Sequence, residues 1–352
     1  MILKTIFSFA ASIIKLFIFL FFINNFSFAD EKFKYHSEDH GVLSIMYHRF
    51  NENKYPSTNI KTEIFKQQLD LIKKNNIEFY DPYEFNTEFS KPKDNKKILI
   101  TIDDAFSSFY ENAWPILKEK KIPFILFVST EPVGKKGYMN WDQILEISKY
   151  DFVYIGNHSH THEYLLELSY EDFEKDIRKS VEIFKKKLGY NPIFFSYPFG
   201  EYNFKQTEFI KQNFKFGFGQ HSGIIDLTKN AFELPRFPIN EKYGDLERFD
   251  FILNLFPMPY KTLKPTEKFI SNSQNPPTVE IEFFDEQKNI QRINCFSNEG
   301  NQWRNPIMEF ENNILKINFR EKFTFRRGRL NCSLQDGTVW RWLGIQMSVE
   351  AN

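Results

Sequence analysis

Two adjacent carboxylates, Asp103 and Asp104, directly follow an apolar run at residues 98–102 of this 352-residue chain. Neighbouring side chains at the end of a strand point in different directions, so the two can do different work. One can bind a metal ion while the other accepts a proton. Because an Asp-Asp pair is also typical of a solvated turn or a helix cap, a metal site needs further ligands elsewhere in the sequence.

Three of the seven histidines lie within five residues, directly after a second apolar run at residues 152–156. His158 and His162 are four residues apart, a spacing that on a helical turn places both imidazoles on one face. His160 would point elsewhere, as a bystander or as a support for the ligands. Asp104 with the two imidazoles leaves coordination positions open for water and substrate, which is typical of a catalytic metal site. Alternatively, the histidine segment is a polar surface loop that binds no metal.

A third apolar run, at residues 193–197, ends in Tyr197, Pro198, Phe199 and Gly200. Proline and glycine on either side of an aromatic residue favour a tight turn. Such a turn can direct a backbone N–H into a pocket, as stabilisation of an oxyanion requires. On its own, the segment could equally be an ordinary loop.

Short apolar runs alternate with helical patterns from residue 41 to residue 219, which predicts a parallel α/β architecture, either a barrel or an open sheet. Thr62 is expected to cap an early helix, and Ser169 and Gly189 to delimit a long one. In a β/α barrel, catalytic groups come from the carboxyl ends of several strands, so the three motifs would meet there. Strands are expected at residues 42–47, 98–102, 122–128, 152–156, 193–197 and 215–219.

Together, in this order and spacing, the three motifs resemble those of the polysaccharide deacetylases, the NodB-homology or carbohydrate esterase family 4 group. Residues 100–105 resemble the first motif, TFDDG; residues 158–162 match the second, H-[ST]-x-x-H; and residues 196–200 resemble the third, R-x-P-Y-G. The resemblance covers roughly residues 40–250. It implies a distorted (β/α) barrel that removes acetyl groups from N-acetylated sugars.

The resemblance also implies roles for individual residues. Asp103 would be the general base, and the backbone N–H of Phe199 would donate to the oxyanion. Tyr47, Tyr197, Pro198 and His221 are expected to contact the substrate. The implied ligands of a divalent metal, typically zinc, are Asp104, His158 and His162.

The chain departs from the family pattern at several positions. Ala105 replaces the glycine of the first motif, and Ser196 replaces the arginine of the third, for which Arg236 is a candidate substitute. No Leu-x-His motif follows to supply the usual general acid. Instead His48 follows Tyr47, as in the subgroup that includes the biofilm poly-N-acetylglucosamine deacetylases. We expect His48 to be the general acid, and His221 is the second candidate for this role. Alternatively, His48 only lines the pocket.

The first 29 residues have the layout of a secretory signal peptide: Lys4 and Lys15, an apolar run at residues 16–23, and the small residues Ser27 and Ala29 before the expected cut. The protein is therefore expected to be exported to the periplasm or secreted, without a membrane span after cleavage. An uncleaved membrane anchor is the alternative. Equal numbers of basic and acidic residues, 46 each, give no electrostatic sign of nucleic-acid binding.

The residue pattern changes after the expected catalytic domain at residues 38–258. A proline-rich stretch at residues 259–277 predicts a linker, and the alternating pattern of residues 278–352 predicts a small all-β, sandwich-like domain. Cys295 and Cys332 both fall in this domain. A disulfide is expected in an exported protein, the alternative being two buried thiols.

The sequence thus predicts a metal-dependent hydrolase acting on an N-acetylated polysaccharide outside the cytoplasm. The missing motif arginine and downstream histidine leave open a catalytically inactive carbohydrate-binding or scaffold protein. An O-acetyl esterase acting on a xylan-type polymer with the same site is the other alternative. The polymer, the metal and the oligomeric state are not determined by the sequence.

Overall fold

The computed structural model describes residues 39–89, 91–300 and 302–350. The expected signal peptide at residues 1–29 and the first residue of the expected catalytic domain lie outside these ranges. None of the helices within them combines the length and the apolar character needed to cross a membrane.

The first two thirds of the described chain alternate strands with helices. The strands are β1 (Val42–Tyr47), β2 (Arg49–Phe50), β3 (Asn59–Ile60), β4 (Glu78–Phe79), β5 (Lys97–Ile102), β6 (Phe124–Val128), β7 (Val153–Asn157), β8 (Phe194–Ser196), β9 (Phe216–Phe218), β10 (Ile224–Ile225) and β11 (Phe237–Pro238). The α-helices are α1 (Thr62–Lys74), α2 (Phe85–Glu88), α3 (Trp114–Lys120), α4 (Trp141–Ile147), α5 (Tyr170–Leu188), α6 (Phe204–Asn213) and α7 (Leu246–Leu253).

One sheet holds the site, with the strand order β10-β1-β5-β6-β7-β8-β9. From β1 to β9 the neighbouring strands in this order are parallel. All residues of β1, β6 and β7 are buried, as expected of parallel strands covered on both faces. The carboxyl ends of these strands therefore meet at one end of the sheet.

A short segment before and within β11 joins the two ends of this sheet. Leu234 forms a parallel bridge with Phe218 of β9, and Phe237 of β11 pairs in parallel with Ile45 of β1. The predicted distorted α/β barrel is thereby confirmed. Arg236 lies between the two contacts and so enters the centre of the barrel from its closing segment.

Three of the predicted helix ends can be compared with the structure. Ser169 accepts a hydrogen bond from the Asp172 N–H at the start of α5, and Gly189 ends that helix with a φ of +82°, as predicted. For α1, the capping residue is Lys61, without a side-chain cap, and Thr62 is the first helical residue, so the prediction of a Thr62 cap is wrong.

The remaining strands build the C-terminal β region, defined here as residues 255–350. They are β12 (Leu255–Pro257), β13 (Thr262–Lys264), β14 (Phe269–Ile270), β15 (Thr278–Glu282), β16 (Asn294–Glu299), β17 (Gln302–Arg304), β18 (Ile307–Glu311), β19 (Ile314–Asn318), β20 (Arg327–Asp336) and β21 (Val339–Val349). One sheet has the order β12-β21-β20-β16-β17 with β14 on β21, and the other β13-β15-β19-β18. Apolar side chains of both sheets form one core, which confirms the predicted all-β region.

Cys295 and Cys332 lie directly opposite each other on β16 and β20 and form a disulfide with an S–S distance of 2.10 Å. The stretch expected to be a linker, residues 259–277, contains β13 and β14. β13 pairs with β15, and β14 pairs with β21. The connection is therefore part of both sheets rather than a free tether, because its prolines flank short strands instead of preventing them.

Candidate active site

Asp104, His158 and His162 converge at the carboxyl ends of β5 and β7. The Asp104 Oδ1 lies 3.1 Å from the His162 Nε2 and 3.5 Å from the His158 Nε2. One ligand atom from each residue lies within 4.8 Å of the others. A carboxylate and two imidazoles at this separation can hold a divalent metal ion.

The hydrogen bonding of His158 shows that this donor set fits a metal. Its Nδ1 lies 2.7 Å from the Ser196 carbonyl oxygen, so Nδ1 carries the proton and donates it. Its Nε2 is buried and has no hydrogen-bond partner among the described residues. Burial lowers the pKa of His158 to about 4, which keeps the ring neutral. An oriented neutral imidazole with a free lone pair is the form that binds metals.

The other two ligands, Asp104 and His162, shift each other's pKa values in opposite directions. Burial lowers the pKa of His162, but the charge and hydrogen bonding of the Asp104 carboxylate raise it by more, so the net shift is upward. Burial alone would raise the pKa of Asp104, whereas the neighbouring His162 holds it well below its ordinary value. Asp104 is therefore an anion that needs a positive partner.

The backbone after β5 explains how two adjacent carboxylates reach the same space. Asp104 and Ala105 have φ values of +72° and +53°, in the left-handed region that favours glycine. This bend brings both carboxylates near one ring: the His158 Nε2 lies 3.8 Å from the Asp103 Oδ2 and 3.5 Å from the Asp104 Oδ1. The alanine at the family's glycine position thus adopts the turn with some strain.

The histidine segment after β7 is a loop and not a helical turn. Ser159 and His162 have φ values of +69° and +60°. Asp176 of α5 accepts hydrogen bonds from the N–H groups of His160 and Thr161, at 2.8 and 3.0 Å. The expectation of two histidines on one helical face is therefore wrong, although both histidines do meet at the site, because α5 fixes the loop.

Asp103 is held by Arg236, which enters from the closing segment. The Arg236 Nη1 and Nη2 donate to the two Asp103 oxygens at 2.7 and 2.9 Å, and both side chains are fully buried. The other N–H groups of Arg236 donate to the Gly219 carbonyl, the Thr101 Oγ1 and the Ser196 Oγ. All five guanidinium donors are thus used. Burial raises the pKa of Asp103, but Arg236 lowers it, and the net shift is downward.

The Phe199 turn, residues 197–201, lies beside the ligands. Phe199 has φ +60° and ψ +1°, and the hydrogen bonds within the turn are donated by the N–H groups of Gly200 and Glu201. The Phe199 N–H is outside these two bonds and remains a candidate oxyanion donor. The Phe199 ring packs edge-on against the His162 ring, with 4.9 Å between centroids, and stacks on Tyr164 at 4.0 Å.

The two candidate acids lie in different places. His48 follows β1 and is close enough to Asp103 and Asp104 for both to raise its pKa, although burial lowers it more. His221 lines a separate cavity of about 80 Å³ with Glu233 and Lys268, and burial lowers its pKa to about 4. The structure thus brings His48, rather than His221, to the ligands.

Three of the residues expected to contact the substrate are buried in the structure. Tyr47 is inaccessible and donates a hydrogen bond from its Oη to the Gln68 Oε1 at 2.7 Å. Tyr197 packs against Tyr202 in the layer of α5 and α6, and Pro198 is covered beside it.

Several contributing residues were not predicted. Thr101 was visible as a polar residue within an apolar run. Asp176 and Tyr164 gave no sequence signal, since their roles depend on where α5 and the loop before it pack.

Comparisons with known proteins agree with this geometry. The family model described as "Polysaccharide deacetylase" matches residues 90–214. The poly-beta-1,6-N-acetyl-D-glucosamine N-deacetylase of Staphylococcus aureus (strain MSSA476) is 25% identical over 240 residues, covering 60% of this chain and 82% of the relative. The enzyme of the same name from Staphylococcus epidermidis is 24% identical over 245 residues, with the same coverage.

Two solved structures share the fold. IcaB from Ammonifex degensii superposes with a TM-score of 0.56 at 24% identity, covering 61% of this chain and 97% of that one. The Streptococcus pyogenes deacetylase PplD in complex with acetate gives a TM-score of 0.53 at 24% identity, covering 58% and 94%.

Proposed function

Because the chain belongs to the polysaccharide deacetylase family, we propose that it is a metal-dependent hydrolase that removes acetyl groups from the N-acetylated sugars of an extracytoplasmic polysaccharide. One observation carries this proposal: a buried carboxylate, Asp103, is held by Arg236 directly beside the set Asp104, His158 and His162. A protein that only binds glycans has no use for an oriented base next to three converging metal ligands.

The residues at the site can be assigned roles in amide hydrolysis. When bound, a divalent metal supplies a Lewis acid that polarises the acetyl carbonyl and favours deprotonation of water. Asp103, ionised and oriented by Arg236, accepts the proton of the attacking water. The Phe199 N–H donates to the oxygen that becomes negative, and His48 protonates the leaving amine.

Zinc is the metal we propose for this site. Two imidazoles and one carboxylate, with open positions for water and substrate, form a ligand set that is common at catalytic zinc sites. The fit is supported by the buried His158 Nε2, whose lone pair has no partner among the described residues.

The substrate that we propose first is a β-1,6-linked polymer of N-acetylglucosamine. The curated relatives carry that substrate in their names, and the equal numbers of basic and acidic residues suit an uncharged acetylated glycan. The expected signal peptide at residues 1–29 would place the reaction in the periplasm or outside the cell.

Acetate release separates this proposal from its alternatives. The purified protein is incubated with β-1,6-linked N-acetylglucosamine oligomers, chitin oligomers and acetylated xylan, each with and without a chelator. We expect chelator-sensitive acetate release from the N-acetylated oligomers. Release from acetylated xylan alone would indicate an O-acetyl esterase, and release from none, including after zinc addition, would indicate a binding or scaffold protein.

A further inference from the structure

The Phe199 turn is held by side chains that come from the C-terminal β region. The Arg327 Nη1 of β20 donates to the Phe199 carbonyl oxygen at 3.1 Å. The Gln346 Nε2 of β21 donates to the Phe199 carbonyl at 3.1 Å and to the Gly200 carbonyl at 2.9 Å. Two strands of the C-terminal β region thus bind the backbone that carries the candidate oxyanion donor.

The carboxylate of Glu201, at the end of the same turn, strengthens this attachment. Glu201 is almost fully buried, and its Oε1 lies 3.3 Å from the Arg327 Nε. Its Oε2 accepts from the Arg326 Nη2 at 3.1 Å. Because a buried carboxylate without a cation is strongly destabilising, Glu201 ties the turn to the pair of arginines.

A row of stacked side chains extends the contact to a metal ligand. The Arg326 guanidinium lies 3.6 Å from the centroid of the Tyr164 ring. Tyr164 stacks on Phe199 at 4.0 Å, and Phe199 packs against His162 at 4.9 Å. The C-terminal β region therefore supports both the turn and the ring that lies against the ligand.

The turn needs outside support because of its backbone conformation. Phe199 has a left-handed φ of +60°, which is unfavourable for a residue with a side chain, and the turn has no side-chain cap. Bonds to the Phe199 and Gly200 carbonyls fix the peptide planes on the C-terminal side of Phe199. The peptide plane that carries the Phe199 N–H is held within the turn, where the Pro198 carbonyl accepts from the Glu201 N–H. Arg327 and Gln346 therefore restrain that N–H indirectly, by holding the backbone that follows Phe199.

We propose that Arg327 and Gln346 are positioning residues of the active site, and that the C-terminal β region completes the barrel's catalytic end. Both lie beyond the span matched by the family model, which ends at residue 214. The inference rests on the proposed function, in which the Phe199 N–H stabilises the oxyanion. Neither residue touches the reacting atoms; each acts through the Phe199 turn.

The test compares Gln346→Met with Gln335→Met in the full chain. Gln335 lies on β20 but is exposed, so it is a matched control. We expect Gln346→Met to lower kcat by about 10- to 100-fold with KM nearly unchanged. A misplaced Phe199 N–H stabilises the transition state less well but does not weaken binding of the ground-state substrate. Hydrogen exchange of residues 197–201 should become faster in Gln346→Met, and the Tm should match that of the control.

Unchanged kcat and unchanged exchange in Gln346→Met would overturn the proposal, as would a loss of activity explained by a fall in Tm alone. Arg327→Lys, which keeps the charge beside Glu201, should retain more activity than Arg327→Met. The exchange measurement does not depend on turnover. If the wild type releases acetate from no polymer while exchange of residues 197–201 is still faster in Gln346→Met, the proposed function fails, and Gln346 is shown only to hold the Phe199 turn.

Discussion

The Arg236 guanidinium binds both oxygens of the Asp103 carboxylate across a separation of 133 residues in the chain. In the family's third motif an arginine occupies the position of Ser196. Here the Ser196 hydroxyl instead accepts a hydrogen bond from the Arg236 Nη2 at 2.8 Å. The chain thus supplies the cation beside the base from its closing segment.

Replacing this cation should change the pH dependence of activity. Arg236 holds the pKa of Asp103 below its ordinary value, so the stability that it contributes is present above that value and is lost as the pH falls through the lowered pKa. In Arg236→Gln the pKa of Asp103 rises, and the acidic limb of the kcat/KM profile should move to higher pH. We also expect a loss of about 3–5 kcal/mol in unfolding free energy, because a buried pair is broken. A profile that does not move would contradict the role of Arg236.

Asp103→Asn should separate metal binding from turnover. The amide keeps the shape of the side chain but cannot accept a proton, so kcat should fall by about 100- to 10,000-fold. Metal content, measured by elemental analysis, should stay the same, because Asp103 is not one of the three ligands. Asp94→Asn, at an exposed position, is the control. A fully active Asp103→Asn variant would exclude Asp103 as the base.

The two histidines of one loop provide a matched test of the metal site. His162→Gln removes a ligand and should weaken metal binding by more than about 100-fold, since even partners outside the ligand set contribute 10- to 100-fold. His160 binds Thr130 instead, with 2.7 Å between its Nδ1 and the Thr130 Oγ1, so His160→Gln should bind metal normally. Titration with zinc against a competing chelator gives both affinities. Equal affinities in the two variants would show that the ions bind elsewhere.

His48→Gln and His221→Gln test which histidine protonates the leaving amine. His48 lies near the ligands, whereas His221 faces the separate cavity. His48→Gln should lower kcat by about 100-fold or more and remove the basic limb of the kcat profile. His221→Gln should leave that limb in place. The reverse pattern would make His221 the acid.

His221 should instead affect stability at acidic pH. Its folded pKa is about 4 against an ordinary value of 6.5, and burial, Lys268 and Arg236 all disfavour its charged form. Between these values the unfolded chain takes up a proton that the folded protein does not, so stability falls as the pH drops from 6.5 towards 4. His221→Gln should reduce this fall in unfolding free energy. The upper limit is about 3 kcal/mol, and the effect should stay below it because the His221 side chain is partly exposed. Urea unfolding at pH 7 and pH 4.5 measures the difference, and parallel losses in both proteins would assign the pH dependence to other groups.

Much of the barrel could be predicted because its strands are buried apolar runs bounded by turn residues. β1 was expected at residues 42–47 and is found at Val42–Tyr47. The ligands could be predicted from their types and order, but not their geometry, since Asp104, Ser159 and His162 adopt left-handed conformations that local preference disfavours. Proximity in sequence to a site residue does not predict where a side chain lies: Tyr47 precedes His48, yet its ring packs in the core. The contacts of Arg327 and Gln346 with Phe199 span 128 and 147 residues, and no local pattern encodes them.

The pairing of β12 with β21 has a consequence for the order of folding. Leu255 pairs in parallel with Trp340, and Pro257 with Trp342, so β12 is made long before its neighbour. On the ribosome, β12 therefore stays an unpaired, largely apolar edge until residues 339–349 have emerged, and such edges promote aggregation. A chain that ends before β21 would expose this edge and leave the Phe199 turn without Gln346.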